Sequence, residues 1–516
     1  MNDYYNIQGV KQGLYSLLQE IPYGLFVKLK TVLNDSIKRL DEPMQLAIIG
    51  EISSSKSTLV NAILGKREVM ATGQKEVTFN VGWLKYGNPN SDIVIHHKDG
   101  SSSCKSSQEF LQWSIGNANS EYENISYIEV FDDTEILKDV NIIDTPGLAS
   151  LRGADSENTK AFLQKERPDA VIMLFTHSPS KEVYDVVSEY SAEGLLNPLN
   201  AIGVLSKIDI LWQETQNDQT ALSIGKKQSE RILRKYPMLR KCLFDIYPIS
   251  ALQFLASSIL DESTFESLVR LSRSEDSQMM NAFYSVNDFK NPYAKLNTSV
   301  EERDSIVASI GLYGAYLLVN ALRSKEVSDV FSARLLLKKE SGAQEFVKIL
   351  HNHFGKKAKL IKLESVYQKI RQVIKIERKD IEEKTAREQL SKIEQWISNL
   401  FSNLVHEHNE YELLYQIYND EKNIGEDVKQ EICQLFGESG FSAMERLGIL
   451  SISSLQELVD KATEREMYWR RLVALEPDPE EREWMNIILT SYSRLCKKVQ
   501  MAKRQYEQAK TFLFNE

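Results

Sequence analysis

Gly50-Glu51-Ile52-Ser53-Ser54-Ser55-Lys56-Ser57-Thr58 is the segment of this chain best suited by residue type and spacing to do chemistry. It closes a short apolar run at 46–49 and opens onto Leu59, Val60, Ala62, Ile63 and Leu64, the pattern of a strand, a tight loop and a helix. Such a loop turns successive backbone N–H groups, and the helix N-terminus behind them, toward an anion, and phosphate oxygens suit that cradle. Lys56 would reach the outer phosphates, and the Ser57 hydroxyl a Mg²⁺ ion. The spacing follows G-x-x-x-x-G-K-[ST] except at Ser55, which stands where the second glycine is expected. Alone, a serine-rich loop of this kind is equally an ordinary capped helix start.

Three further segments decide between those readings. Asp144-Thr145-Pro146-Gly147 follows the apolar run 140–143, where the carboxylate can hold Mg²⁺ and the Gly147 N–H can meet a γ-phosphate. Ser206-Lys207-Ile208-Asp209 follows the run 201–205. Asp209 can accept from guanine N1–H and its 2-amino group, a donor pair that adenine lacks. Ser250 and Ala251 follow the run 244–249 and place backbone N–H groups near guanine O6. Each motif alone is a common polar loop. Together they occur in order, each at the C-terminal end of an expected strand, where open α/β sheets bind ligands. A threonine between the first helix and the next strand should complete the metal and γ-phosphate contacts. Thr78, just before the run 81–86, is the preferred candidate and Thr72 the alternative.

The elements that must position these groups fall into three zones. Residues 8–40 carry leucines and isoleucines at helical spacing, divided at Pro22 and ended at Asp41-Glu42-Pro43. From 45 to about 320, apolar runs at 46–49, 140–143, 170–175, 201–205 and 244–249 alternate with helical stretches, which predicts an α/β domain with a mostly parallel sheet. Beyond about 358 the pattern is helical: Leu360, Leu363, Tyr367, Ile370 and Ile374, then Leu390, Ile393, Ile397, Leu400 and Leu404, form heptad seams. A continuous helix over 358–422 would run about 100 Å. A helical pair broken at Glu476-Pro477-Asp478-Pro479 completes an expected α-helical stalk.

Composition excludes several other classes. At 516 residues, with 42% hydrophobic and 26% charged residues, the chain is a folded protein of more than one domain. A formal charge of −10 argues against nucleic-acid binding. The cysteines Cys104, Cys242, Cys433 and Cys496 are scattered without ligand spacing, so a reducing, cytoplasmic setting is expected, with no disulfide framework or zinc site. The start, Met1-Asn2-Asp3-Tyr4-Tyr5, carries no secretory signal pattern.

On residues 50–65, Thr78, Asp144–Leu148 and Ser206–Asp209, the chain resembles the bacterial dynamin-like proteins, large GTPases of the dynamin superfamily. The motifs cover roughly 40–255, and the helical region matches in general character. The resemblance implies GTP and GDP as ligands with Mg²⁺, weak nucleotide affinity, a homodimer formed across the nucleotide between GTPase heads, and hydrolysis coupled to stalk movement on membranes. It also implies that Ser53 holds transition-state charge, beside Lys56, Thr78 and Gly147, that Ser57, Thr78 and Asp144 serve the metal, and that Gly50, Ser54, Ser55, Lys56, Ser57, Thr58, Lys207, Asp209, Ser250 and Ala251 hold the nucleotide. Ser55 in place of glycine and Ile52 in place of a polar residue depart from the family and point to low basal hydrolysis.

The expected organisation is an N-terminal helical segment at 1–42, a dynamin-type GTPase domain at 43–325, a helical connection at 326–357 and the stalk at 358–516. The apolar stretch 306–322 is read as a buried helix closing the GTPase domain, being too short and glycine-containing for a span. A stalk tip at 438–452, with Phe441, Met444, Leu447, Ile449 and Leu450, either enters a lipid interface or packs as a hydrophobic corner, and the corner is expected. The basic run Arg494, Lys497, Lys498, Lys503 and Arg504 reads as a solvated helix face. The leading function is a dynamin-like GTPase that remodels membranes and touches them peripherally. The competing one is a GTP-binding scaffold with slow or no hydrolysis that assembles with partner proteins.

Overall fold

The computed structural model describes residues 7–22, 24–51, 53–67, 81–106, 124–145, 168–179, 196–214, 219–418, 424–437, 442–449 and 454–514, with a few isolated positions between them. It contains two compact units. One comprises 35–368; the other comprises residues up to 34 together with 369 onward.

The first unit is built on a sheet of nine strands: β1 Met44–Gly50, β2 Val81–Tyr86, β3 Ile93–His97, β4 Ser102–Lys105, β5 Ile125–Asp132, β6 Val140–Asp144, β7 Ala170–Phe175, β8 Ala201–Ser206 and β9 Ile246–Ile249. Their spatial order is β4-β3-β5-β2-β6-β1-β7-β8-β9. The half that runs from β6 through β1, β7 and β8 to β9 is parallel throughout. β2 pairs parallel with β5 but meets β6 antiparallel, and β3 pairs antiparallel with both β4 and β5, so the sheet is mostly parallel, as expected, and mixed only on the β4 side. The two sides differ in burial. β1, β7 and β8 are buried at every residue, as strands covered on both faces must be, and read as unbroken apolar runs. β3 and β5 are half-buried and carry His96, His97, Tyr127 and Glu129 among their apolar residues, which hides them from a search for apolar runs.

Helices cover this sheet and extend it. The helix Ala221–Lys235 starts at a reciprocal cap, in which Thr220 accepts from Ser223 N–H and Ser223 answers to the Thr220 backbone. A second apolar core gathers Leu268, Ile306, Ile310, Leu318, Val319 and Leu337 from the helices Glu262–Ser272, Val300–Arg323 and Val330–Glu340. The stretch read as a buried helix lies within Val300–Arg323, with Ile306, Ile310, Ala315 and Leu318 fully buried. By length and apolar composition this helix alone, among the described residues, passes as a membrane span, yet half of its apolar window is buried within the protein. Its path is also broken at Gly311, with φ 67° and ψ 173°, a conformation open only to glycine.

The second unit is helical. The single helix expected over 358–422 is not formed within the described residues 358–418. Helices Lys356–Asp380, Lys384–Leu400 and Ser402–Tyr418 succeed one another, the first crossing the border between the units. At the first break Glu383 is extended, with φ −74° and ψ 129°, and Arg387 Nε donates to the Ile381 carbonyl at 2.8 Å. No proline or glycine marks it, so periodicity alone carried the helix across. The helix Ile7–Glu20 packs on Lys384–Leu400, with Gly13 lying against Leu400 and Trp396. Downstream, Leu414, Ile432, Trp469, Ile488 and Tyr492 share a core. Glu431 organises that core, accepting from Trp469 Nε1 at 3.0 Å, Tyr492 Oη at 2.6 Å and Arg465 Nε at 2.9 Å. Met444, Leu447 and Ile449 of the expected tip pack against it as a hydrophobic corner, while Phe441 and Leu450 lie outside the described residues.

A Cβ on Gly311 would sit 2.8 Å from Leu252 Cδ2 in a backbone conformation hostile to side chains. Gly311→Ala is expected to destabilise the first unit by about 1–3 kcal/mol. A urea unfolding curve with an unshifted midpoint would mean that the kink straightens without cost.

Candidate functional site

β1 delivers the phosphate loop. Gly50 ends the strand in register with Leu174 of β7, and a Cβ there would stand 2.4 Å from the Leu174 carbonyl oxygen, so only glycine fits. The chain then turns through two serines in the left-handed region, Ser53 at φ 56° and Ser55 at φ 66°, before the helix Lys56–Leu64 begins. Serine at the second glycine position therefore adopts the glycine conformation instead of reshaping the loop. A non-glycine residue held there costs of order 1–3 kcal/mol. Ser55 makes no side-chain cap to the helix it precedes, and the buried Ser54 hydroxyl has no hydrogen-bond partner.

Lys56 is folded into this loop. Its Nζ donates to the carbonyls of Gly50 at 3.2 Å and Glu51 at 2.8 Å. Burial pulls its pKa down to about 8, against the attraction of Asp144 and Glu51. Its hydrogen bonds go to carbonyls alone, with the Asp144 and Glu51 carboxylates attracting it without bonding to it, which suits it to meet an anionic phosphate.

Asp144 ends β6 beside the loop, its Cα in register with Ile48 of β1. The ladder is extended by Thr145, whose N–H and hydroxyl both donate to the Ile48 carbonyl, at 3.3 and 2.9 Å. Ser57 Oγ donates to Asp144 Oδ2 at 2.6 Å, and the other carboxylate oxygen is buried without a partner. Burial pushes the Asp144 pKa up. A hydroxyl and a half-satisfied buried carboxylate fit Mg²⁺, which takes few protein ligands and completes its shell from phosphates and water. Among the described residues there is no cluster of three or more His, Cys, Asp or Glu to hold a metal by protein alone.

The side expected to select the base lies at the ends of β8 and β9. Lys207 turns the chain at φ 58° directly after β8, and burial pushes the pKa of Asp209, two residues on, upward. Ser250 follows β9 and caps the helix Ala251–Ile259, accepting from Gln253 N–H. Its hydroxyl donates to Asp209 Oδ1 at 2.7 Å, which orients the carboxylate, and it also contacts the buried Gln253 side chain. Gln253 Nε2 in turn donates to the Ile310 carbonyl at 2.8 Å, the residue before the Gly311 kink.

The structure thus places Gly50, Ser53, Ser54, Ser55, Lys56, Ser57, Thr58 and Asp144 at the ends of β1 and β6, and Lys207, Asp209, Ser250 and Ala251 at the ends of β8 and β9. Lys56, Ser57 and Asp144 come together as one group, and Asp209 and Ser250 as another. Thr78, its alternative Thr72, and Gly147 lie outside the described residues. Sequence reasoning missed Thr145 and Gln253. The second had a visible signal, since Ser250-Ala251-Leu252-Gln253 is an S-x-x-Q capping pattern.

Strands in this order, with the expected phosphate loop after β1 and Asp209 two strands away, follow the α/β pattern expected of a GTPase. The sequence model of the dynamin family matches residues 46–208, so the chain carries a dynamin-family GTPase domain, a GTP-hydrolysing unit. Isoniazid-induced protein IniC of Mycobacterium tuberculosis is 24% identical over 449 residues, covering 84% of this chain and 86% of that protein. The probable transmembrane GTPase FZO-like of Arabidopsis thaliana, a chloroplast protein, is 25% identical over 232 residues, 44% of this chain but 21% of its own length. A solved bacterial dynamin, described as an oligomerised pair that senses and tethers membranes, aligns over the whole chain with 13% identity and a TM-score of 0.33.

Two outcomes follow from the loop. In the free protein Lys56 loses its proton above about 8 and must regain it to meet phosphate. GTP affinity should therefore fall as pH rises past that value, by about tenfold per pH unit, and Lys56→Arg should flatten the dependence. Calorimetry in two buffers of different ionisation enthalpy reads the proton uptake, and its absence would contradict the buried-lysine account. Ser55→Gly should stabilise the free protein by about 1 kcal/mol, tighten GTP binding and raise basal hydrolysis, whereas Lys56→Ala should abolish binding and turnover. An unchanged unfolding midpoint and affinity in Ser55→Gly would mean the loop holds serine without strain.

Proposed function

We propose that this dynamin-like GTPase couples GTP binding and hydrolysis to movement of its helical region and to membrane remodelling, with low basal turnover. The observation that carries the reading is the convergence of Lys56, Ser57 and Asp144 in one buried cluster on a dynamin-family domain. In this reading Lys56 and the loop N–H groups hold the β- and γ-phosphates. Ser57, Asp144 and Thr78 hold Mg²⁺, which supplies charge neutralisation on the transferring phosphoryl group. Ser53 and Gly147 face the γ-phosphate, and Asp209, oriented by Ser250, selects guanine. GTPase heads pair into a homodimer across the nucleotide, in the cytoplasm and in peripheral contact with a membrane.

A second reading is favoured by the left-handed Ser55. A loop that stores strain binds triphosphate weakly, which suits a GTP-dependent scaffold that assembles with partners and turns over slowly or not at all. GTP turnover measured against protein concentration, with and without liposomes, separates the two. A specific activity that climbs with concentration and again with vesicles supports the mechanochemical reading. A flat, near-zero rate in both series supports the scaffold.

Base choice tests the guanine assignment independently. Asp209→Asn should weaken GTP binding and shift preference toward xanthosine triphosphate, because a buried site built for two donors rejects a base lacking them. Equal affinity of the wild type for ATP and GTP would remove Asp209 from this role.

A further inference from the structure

The helix Pro479–Phe514 changes character along its length. Through Trp484, Ile488, Tyr492, Leu495 and Val499 it contributes a buried seam to the helical core. Its cover there is the helix Leu455–Leu475, which runs antiparallel to it: Ser493 Oγ donates to Glu466 at 2.9 Å, Thr463 Oγ1 meets Cys496 Sγ at 3.4 Å, and Lys503 Nζ reaches Gln456. Ser454 caps the start of the covering helix, so the cover ends opposite Lys503. The C-terminal helix continues past it. From 504 to 512 every residue is exposed, and Met501, Tyr506 and Phe512 are 59%, 60% and 86% accessible.

This overhang has two faces. At 100° per residue Met501, Ala502, Tyr506, Ala509 and Phe512 fall within an arc of about 140° that Gln505 alone interrupts with a polar side chain. Lys503, Arg504 and Lys510 occupy the rest of the circumference. Between 497 and 510 the sequence holds five basic residues, Lys497, Lys498, Lys503, Arg504 and Lys510, and a single carboxylate, Glu507, in a chain whose net charge is −10. An apolar, aromatic face flanked by Lys and Arg is the composition that lies in the headgroup region of an anionic bilayer. The same face on a second copy would set Arg504 and Lys510 against their counterparts, with Lys503 already paired to Glu507, so homotypic packing is opposed by charge. The basic run that reads in sequence as a solvated face borders an uncovered apolar one.

We infer that the exposed end of the C-terminal helix, from Met501 to Phe512, is a membrane-docking element that lies on anionic lipid. The inference rests on the reading that the protein works at membranes, and names the part that touches them.

Flotation of the full chain decides it, with vesicles of phosphatidylcholine alone and of phosphatidylcholine mixed equally with phosphatidylglycerol. The wild type should float with the mixed vesicles, not with phosphatidylcholine, and lose binding as salt rises. The variant Met501→Asp/Tyr506→Asp/Phe512→Asp and the charge variant Arg504→Glu/Lys510→Glu should each lose roughly tenfold or more of that binding, with GTP turnover in lipid-free buffer unchanged. These side chains are exposed, so helicity and the unfolding midpoint should match the wild type, and a variant that fails this is replaced by Phe512→Ser alone, with the same expected direction. If the wild type floats and both variants float equally, this helix is not the contact and the inference fails while the membrane reading stands. If the wild type floats on neither vesicle, both fail. A fall in oligomer mass for the apolar variant in lipid-free sedimentation, with flotation retained, would overturn the inference in favour of a protein-docking face.

Discussion

The constraint on which the first unit depends is the burial of two opposite charges that attract each other but share no hydrogen bond. Lys56 is spent on loop carbonyls, and Asp144 takes one hydroxyl and leaves an oxygen bare. Charges held so far from water cost several kcal/mol unless compensated. The parallel half of the sheet can sustain that cost because β1, β7 and β8 are buried along their whole length, and their ends are fixed by the ladder on both sides. A ligand that brings phosphate to the lysine and a divalent cation to the aspartate relieves both groups together. Binding energy is in this sense stored in the free protein.

The opposite end of β1 is held as firmly. The Gln45 N–H donates at 2.9 Å to Asp169, which sits just before β7, and Arg39 Nη2 binds the same carboxylate oxygen at 2.5 Å. Lys362 Nζ, from the helix Lys356–Asp380, donates to the Leu40 carbonyl at 2.8 Å and also to that of Glu42. Burial lowers its pKa to about 8, with Asp169 opposing and Arg39 adding to the effect. One strand therefore carries the phosphate loop at its C-terminal end and, at its N-terminal end, a clamp joining Arg39, Asp169 and a helix that continues into the second unit. Within the first unit, β1 thus lies between the loop and the hydrogen bonds that Lys362 makes to the chain before the strand. Packed elements of this kind move between discrete arrangements more readily than they bend.

What was legible in the sequence follows from these physical demands. Strands buried on both faces read as apolar runs, so β1, β6, β7, β8 and most of β9 stood out together with the loops they end in. β3 and β5 alternate apolar residues with His96, Tyr127 and Glu129, whose pairing partners lie in other strands, and they were not seen. The break at Glu383 has no glycine or proline to announce it, whereas the kink at Gly311 rests on a residue that only its tertiary setting distinguishes from a helical glycine. Lys56, Ser57, Asp144 and Asp209 were readable because their chemistry dictates type and spacing. Thr145 and Gln253 act through Ile48 and Ser250, and their roles exist only once β6 lies beside β1 and the helix after β9 lies beneath Gly311.

The serine loop shows how backbone strain can be held at the start of a helix. Two residues with side chains, Ser53 and Ser55, sit in the left-handed region within three positions of each other. Such conformations persist only where the surroundings over-determine them. Here the surroundings are the close approach of Gly50 to Leu174, the lysine bonds back to Gly50 and Glu51, and the first turn of the helix. Each of those ties is made within the loop or to the sheet, and none comes from the Ser55 side chain. The cost of the serines is borne by the folded loop, and any relaxation of the lysine ties lets it escape. A bound phosphate would replace the carbonyls around Lys56 and hold the same backbone from the other side. In the proposed reading loop order and nucleotide occupancy would thereby be coupled, with Ser55 setting how strongly.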